Sequence, residues 1–265
     1  MNYAPDAAGR RGGRGSFGGL EPEVTIVVPC WNEEAALPLL LERLDRPIAQ
    51  DKRPWEVVFV DDGSTDRTPE LLADACRRRP WVRTLRHERN LGLGAALRTG
   101  FAGELAPIVC TIDSDCTYPP ERLPELIAAL ERGADLVTAS PWHPENTQFE
   151  GDRLRRLLSR VVSGAYRSIT GARIYTFTCL FRAYRRELLR QVAFEEDGFA
   201  ATAEILVKAV LEGFRVAEQP MPLTVRRHGV SKMRVWASVG AHLRLLVATV
   251  LWVRAHRRRE SGLAS

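Results

Sequence analysis

The chain has 265 residues, of which 38 are Lys or Arg and 33 are Asp or Glu, so its net charge is +5 and its pI is about 9.2. Its composition, 45% hydrophobic and 27% charged, excludes an intrinsically disordered chain and a multi-span membrane protein. A basic pI suggests nucleic-acid binding, but nine basic and no acidic residues fall within 221–259, and the chain without 221–260 carries a net charge of −3. An acidic body with a basic tail favours a surface-binding tail, and we expect no nucleic-acid partner.

The termini and the cysteines indicate a cytoplasmic protein. Residues 1–20 are polar and rich in Gly and Arg, which predicts a disordered leader and no signal peptide. The five cysteines are odd in number and contain no CxxC motif. This pattern favours neither a disulfide framework nor a zinc site, and it fits a reducing compartment.

Short apolar runs alternate with helix-length segments over the first 140 residues. The runs predict strands over 23–28, 56–60, 82–86, 108–112 and 135–139. The segments between them predict helices over 32–44, 68–79, 95–103 and 119–132, with Thr68 as the N-cap of the second. This alternation is typical of an open, mostly parallel α/β sheet with helices on both faces, which binds ligands at the carboxyl ends of its strands.

The pattern changes after residue 140. A basic amphipathic helix is predicted over 152–169, an extended segment over 176–182, helices over 185–192 and 202–213, and short strands over 215–219 and 222–226. We expect residues 21–140 to form the half of the domain that binds a donor substrate. Residues 141–232 should complete the sheet and form the wall on the acceptor side.

Asp113-Ser114-Asp115 directly follows the fourth predicted strand. Because side chains i and i+2 of a strand share a side, the two carboxylates should converge beyond the strand end. Two carboxylates suit a hard cation such as Mg²⁺ or Mn²⁺, which shares its remaining coordination with substrate phosphate. The alternative is an acidic turn without a ligand.

Three further loops carry candidate nucleotide contacts. In the loop that starts at Asp61, Asp62 is placed to accept hydrogen bonds from a base or ribose, and the alternative is a simple Asx turn. Trp31 is placed either to stack on a base or to lie in the core. The segment His87–Gly94 lacks the third glycine of a dinucleotide fingerprint, so we expect Gly94 to allow a close backbone approach and Arg89 to neutralise charge.

In this order and spacing, VTIVVPCWNEE, VVFVDDGSTDRT, RNLGLGAALRTGF and CTIDSDCTYPPE resemble the family 2 glycosyltransferases of the GT-A fold. Later segments, including FRAYRRELL and RRHGVSKMR, resemble the polyprenol-phosphate (dolichyl-phosphate) mannosyl- and glucosyltransferase branch. The resemblance covers roughly residues 23–253. It implies an inverting, metal-dependent transfer of mannose or glucose from a nucleotide sugar (GDP-mannose or UDP-glucose) to a polyprenyl phosphate.

The resemblance also implies site residues. The nucleotide would be held by Pro29, Trp31, Glu33 and Asp62, and the metal and sugar diphosphate by Asp113 and Asp115, with Thr117 where the branch often has a metal-assisting Gln. Arg226 and Lys232 would grip the diphosphate. The chain departs from the branch at Pro141-Trp142, where a phosphate-binding Arg is common, and at Tyr175 and Cys179-Leu180. These departures lie outside the nucleotide-binding motifs and leave the identity of the acceptor undecided.

Two alternatives to a lipid phosphate acceptor remain at this point. The first is a hydroxyl acceptor on a saccharide or small molecule, which needs a carboxylate base. Glu204 is the candidate for this base, although it also suits the first turn of a helix as a purely structural residue. A lipid phosphate acceptor is already an anion and needs no base. A more distant alternative is a nucleotide-binding protein without catalysis.

The C-terminal segment 233–259 is apolar with a basic end. Arg234, His242 and Arg244 interrupt it, and the uninterrupted stretch Leu245–Val253 is too short to span a bilayer. Trp236, Gly240, Leu243, Val247 and Val250 recur at helical spacing. This pattern predicts an amphipathic helix in the interface of an anionic membrane, on its cytoplasmic face. The alternative is a helix packed on the domain or in a dimer interface.

Overall fold

The computed structural model describes residues 20–145, 153–224 and 235–262. The predicted leader lies outside these residues except for Leu20, and so do Arg226 and Lys232. The strands are β1 (Val24–Cys30), β2 (Trp55–Asp61), β3 (Val82–Arg86), β4 (Ile108–Thr111), β5 (Leu136–Ser140), β6 (Arg182–Arg185) and β7 (Val216–Pro220). The helices are α1 (Leu37–Gln50), α2 (Thr68–Arg78), α3 (Leu93–Phe101), α4 (Leu123–Glu131), α5 (Arg153–Thr170), α6 (Arg186–Gln191), α7 (Ala201–Leu211) and α8 (Val235–Gly262).

The seven strands form one sheet in the order β3-β2-β1-β4-β6-β5-β7. Among the strands of the described residues, only β6 is antiparallel to its neighbours, and because it is antiparallel to both β4 and β5, those two strands point the same way. The carboxyl ends of β1, β2, β4 and β5 therefore lie at one edge. The prediction of a mostly parallel α/β sheet is confirmed.

Alternate side chains of the buried strands pack into two hydrophobic cores, one on each face of the sheet. Ile26 and Val28 of β1 pack with residues of α1, α2 and α4, whereas Val27 packs with residues of α3, α7 and α8. The period-two alternation of a strand explains why β1 is fully buried along its length. The sheet is thus a rigid, two-sided support for the loops at its carboxyl edge.

The extended segment predicted over 176–182 contributes only its last residue to a strand, since β6 begins at Arg182. The backbone amides just before β6 donate hydrogen bonds to side chains instead of to a neighbouring strand. Glu218 accepts the amides of Tyr175 and Thr176, and Ser163 accepts the amide of Phe177. These amides are therefore bonded without a strand partner. Of the predicted strand 222–226, only Leu223 forms an isolated bridge, and residues 225–226 lie outside the described residues.

The first predicted helix begins five residues later than expected, at Leu37. The amide of Asn32, whose φ is +53°, is bound by Ser64, and the amide of Glu33 is bound by Thr68. For the same reason Thr68 does not N-cap its own helix: it is the first residue of α2, and its hydroxyl serves Glu33. Both differences arise from contacts between loops that are distant in sequence.

Helix α8 packs one face on α5 and α7 and exposes another. The Tyr166 hydroxyl lies 3.1 Å from Nδ1 of His242, and burial lowers the pKa of His242 to about 4, so this residue is neutral rather than a charged interruption. Leu243, Val247 and Leu251, spaced at i, i+4 and i+8, are exposed. By length and mean hydropathy alone, the segment Ala237–Arg258 is also apolar enough to cross a bilayer.

Candidate functional site

One cavity of about 1000 Å³ opens at the carboxyl edge of the sheet and continues to α8. Its sheet end is formed by the loops that follow β1, β2 and β4, and its far end by one face of α8. Of the residues predicted from sequence, Pro29, Trp31, Glu33, Asp62, Asp113, Asp115 and Glu204 line this cavity. The carboxyl ends of parallel strands meet at one edge, which is why residues so distant in sequence come together.

The loops after β1 and β2 are bonded to each other. Oδ1 of Asn32 accepts hydrogen bonds from the amides of Thr65 and Asp66, at 2.7 and 3.3 Å, and the amide of Asn32 donates to Ser64 at 2.8 Å. These bonds fix the loop that presents Trp31, whose side chain is 36% exposed on the cavity. An exposed indole on a fixed loop suits stacking on a planar ligand.

Asp62 is buried and holds the loop that precedes α3. Its Oδ1 accepts hydrogen bonds from Nδ1 of His87 at 2.7 Å and from the amide of Leu91 at 2.8 Å, and its Oδ2 accepts one from the amide of Gly92 at 2.8 Å. A carboxylate offers about four lone-pair sites. Three are used here, so one acceptor site remains for a ligand in the cavity.

Asp113 and Asp115 line the cavity together and are both half-buried. One oxygen of Asp115 accepts the amide of Thr117 at 3.0 Å, which shapes the turn. Thr117 does not line the cavity; its carbonyl oxygen accepts the amide and the hydroxyl of Thr224, at 3.0 and 2.9 Å. This contact fixes the start of the segment that leads to Arg226.

The described residues contain no group of three or more His, Cys, Asp or Glu side chains that could hold a metal by themselves. Two carboxylates on a cavity wall nevertheless fit Mg²⁺ or Mn²⁺, because such ions commonly use one or two carboxylates and complete their coordination with substrate phosphates and water. Asp113 and Asp115 therefore fit a metal that binds together with a diphosphate ligand.

Gly94 and Arg89, predicted as nucleotide contacts, do not line the cavity. The amide of Gly94 donates to the carbonyl of Asp197 at 2.6 Å, and a Cβ at this position would lie 1.9 Å from the carbonyl oxygen of Glu196. The glycine thus allows a close approach of another backbone segment. The side chain of Arg89 is exposed on the loop held by Asp62.

An acidic loop before α7, which the sequence motifs do not predict as part of the site, forms another wall of the cavity. It consists of Glu195, Glu196 and Asp197. Glu204 of α7 holds it, since Oε2 of Glu204 accepts the amides of Glu195 and Glu196 at 3.0 and 2.8 Å. The three consecutive acidic residues before Gly198 were the available signal in the sequence.

Both oxygens of Glu204 are engaged. While Oε2 holds the acidic loop, Oε1 lies 2.7 Å from Nζ of Lys208. Lys208 also donates to the carbonyl of Ala193 at 2.8 Å, and its ammonium lies 4.8 Å from the ring centre of Trp252 in α8. This arrangement favours the structural role of Glu204 over the role of a general base, and it connects the cavity wall to α8.

The far wall of the cavity is one face of α8. Ala241, Leu245, Ala248 and Trp252 recur along it, with Arg244 beside them. At the sheet end, burial raises the pKa of the Cys30 thiol well above its usual value, with the charges of Asp61 and Glu33 adding to the effect, so Cys30 is not a thiolate nucleophile. The cavity therefore joins an acidic end to an apolar wall.

Comparison with known proteins shows to which family the chain belongs and which solved structures share its fold. A sequence model described as glycosyl transferase family 2 matches residues 25–193. Polyprenol monophosphomannose synthase of Mycolicibacterium smegmatis is 33% identical over 219 residues, which cover 78% of this chain and 80% of that protein. Undecaprenyl-phosphate 4-deoxy-4-formamido-L-arabinose transferase of Pectobacterium carotovorum is 34% identical over 167 residues, which cover 63% of this chain.

The chain spans about half the length of the 4-deoxy-4-formamido-L-arabinose transferases that it matches. Among solved structures, glucosyl-3-phosphoglycerate synthase of Mycobacterium tuberculosis, crystallised with Mn²⁺, UDP and glucosyl-3-phosphoglycerate, aligns with a TM-score of 0.65 and 24% identity, covering 88% of this chain and 80% of that one. At this identity the likeness shows the fold alone.

Proposed function

This chain belongs to glycosyl transferase family 2, and from that premise we propose that it transfers a hexose from a nucleotide sugar to a polyprenyl phosphate. The observation that carries the proposal is one continuous cavity, which runs from the acidic edge of the sheet to the apolar face of α8. Such a cavity suits a polar donor at one end and an amphiphilic acceptor at the other.

The donor end supports a nucleoside diphosphate sugar. Trp31 offers a stacking surface, Asp62 keeps one acceptor site, and Asp113 and Asp115 would hold Mg²⁺ or Mn²⁺ against the diphosphate. When bound, the metal would neutralise the charge that develops on the leaving diphosphate. Attack on the anomeric carbon from the side opposite the leaving group would invert its configuration. GDP-mannose and UDP-glucose are the donors we propose to test first.

The acceptor end supports a lipid phosphate. Two of the relatives carry polyprenol or undecaprenyl-phosphate in their names. A phosphate oxygen is already an anionic nucleophile, whereas a hydroxyl acceptor would need a base. Glu204, the base candidate, has both oxygens occupied by the acidic loop and Lys208. The apolar wall of α8 supplies a surface for an isoprenoid chain.

We further propose that the protein is peripheral on the cytoplasmic face of the membrane, with α8 as its contact. The exposed side chains of Leu243, Val247 and Leu251 form a stripe along the helix, and Arg254, Arg257 and Arg258 at its end are exposed too. Basic residues near an anionic bilayer contribute about 1 kcal/mol each. This placement would bring the cavity next to a membrane-borne acceptor.

The test is a panel of nucleotide sugars with Mg²⁺ or Mn²⁺ and polyprenyl phosphate, scored for lipid-linked product. Asp115→Asn should reduce kcat by at least about 100-fold, the scale of lost electrostatic stabilisation at a transition state, and should retain the fold. Asp74→Asn, on the exposed surface of α2, is the matched control and should behave as wild type. Absence of product with every donor, or product only with hydroxyl acceptors, would overturn the lipid phosphate.

A further inference from the structure

The described residues that line the cavity carry charges of almost one sign. Asp62, Asp113 and Asp115 lie at the sheet end, and Glu195, Glu196 and Asp197 lie on the acidic loop. Arg244 of α8 is the one basic side chain among these described lining residues. A phosphate that enters so acidic a cavity needs a cation beside it, because an unpaired charge is costly to remove from water.

Arg244 lies where the acidic and apolar parts of the cavity meet. Its helical neighbours on the cavity wall, Ala241, Leu245 and Ala248, are apolar. Arg244 is close enough to the acidic loop to interact with it electrostatically. Burial raises the pKa of Glu196, and the positive charge of Arg244 opposes that rise. The Arg244 side chain is exposed on this wall, so it can turn toward a ligand without breaking a core contact.

We propose that Arg244 binds the phosphate of the acceptor, with its isoprenoid chain along the adjoining apolar face of α8. The inference rests on the proposed function and names the residue that recognises the charged end of that acceptor. The metal held by Asp113 and Asp115 would serve the donor diphosphate, which leaves the acceptor phosphate to a cation of the protein. A guanidinium suits this role because its planar set of donors matches two phosphate oxygens at once.

Farnesyl phosphate, a short soluble isoprenyl phosphate, is the probe, because it separates acceptor binding from membrane binding. With the donor that gives product, Arg244→Gln should raise the KM for farnesyl phosphate about 10- to 100-fold, the range of a charge-assisted contact, and should change the donor KM less than about twofold. Arg244→Lys should recover part of this loss. Arg132→Gln is the control, since Arg132 is exposed after α4, just before β5 begins, away from the carboxyl edge.

An acceptor KM that Arg244→Gln leaves unchanged, or equal rises of the acceptor and donor KM, would overturn the proposal. Calorimetric titration with farnesyl phosphate and with farnesol tests it without turnover. The wild type should prefer the phosphate, and Arg244→Gln should lose that preference at an unchanged melting temperature. If the wild type forms no product with any donor, the proposed function fails while the titration still decides the role of Arg244; a wild type that does not distinguish the two probes refutes that role.

Discussion

Glu204 either positions the acidic loop or acts as a catalytic base. The substitution Glu204→Gln tests which role it has, because it changes the shape of the side chain little. The carboxylate accepts two backbone amides and pairs with Lys208 at 2.7 Å. The carbonyl oxygen of Gln can still accept the amides, so the main loss is the ion pair. Removing one partner of a buried pair costs about 3–5 kcal/mol; since the Lys208 side chain is 23% exposed, we expect about 2–3 kcal/mol.

Urea denaturation measures this loss, and amide hydrogen exchange of residues 193–197 shows where it falls. Lys208→Met should also loosen the acidic loop, because it removes the other half of the pair. Glu212→Gln, exposed at the end of α7, is the matched control and should change neither quantity. The positioning role would be refuted if Glu204→Gln kept full stability and loop protection while kcat fell about 100-fold or more, the behaviour of a general base.

Three further predictions concern other contacts. Since the pKa of His242 lies near 4 when folded and near 6.5 when unfolded, the unfolded state binds more protons between these values. The free energy of unfolding should therefore increase as the pH rises from about 4 to about 6.5, by up to about 1.4 kcal/mol per pH unit, and His242→Gln should remove this contribution in urea titrations. Gly94→Ala would place its Cβ 1.9 Å from the Glu196 carbonyl oxygen, and thermal unfolding should show a loss of about 1–3 kcal/mol. Leu243→Glu with Val247→Glu should reduce sedimentation with anionic liposomes at unchanged turnover of farnesyl phosphate; unaltered sedimentation would exclude this face as the membrane contact.

The sequence predicted the sheet and much of the candidate site because both depend on local patterns. β-branched runs marked the strands, and the carboxylates after β2 and β4 meet because parallel strands end at one edge. Where the prediction differed, contacts distant in sequence decided the outcome. Glu218 binds the amides before β6, and Ser64 and Thr68 bind the amides before α1.

The acceptor side was less predictable for the same reason. In the sequence, Arg244 is only an interruption of an apolar segment, since its place on the cavity wall depends on how α8 packs across α5 and α7. The acidic loop likewise acquires its position from Glu204 and from Gly94. No single-segment pattern carries these contacts, because they arise between elements that are brought together only in the folded protein.

The antiparallel strand β6 also sets the order in which the chain can fold. β4 and β5 are each hydrogen-bonded to β6 and not to each other, and β5 has β7 on its other side. A nascent chain that has emerged only to residue 140 therefore has no partner for β5, and one edge of β4 stays open. Synthesis must reach Arg185 before the two halves close into one sheet, so a fragment that ends at residue 140 should aggregate, whereas one that includes β6 and β7 should remain soluble.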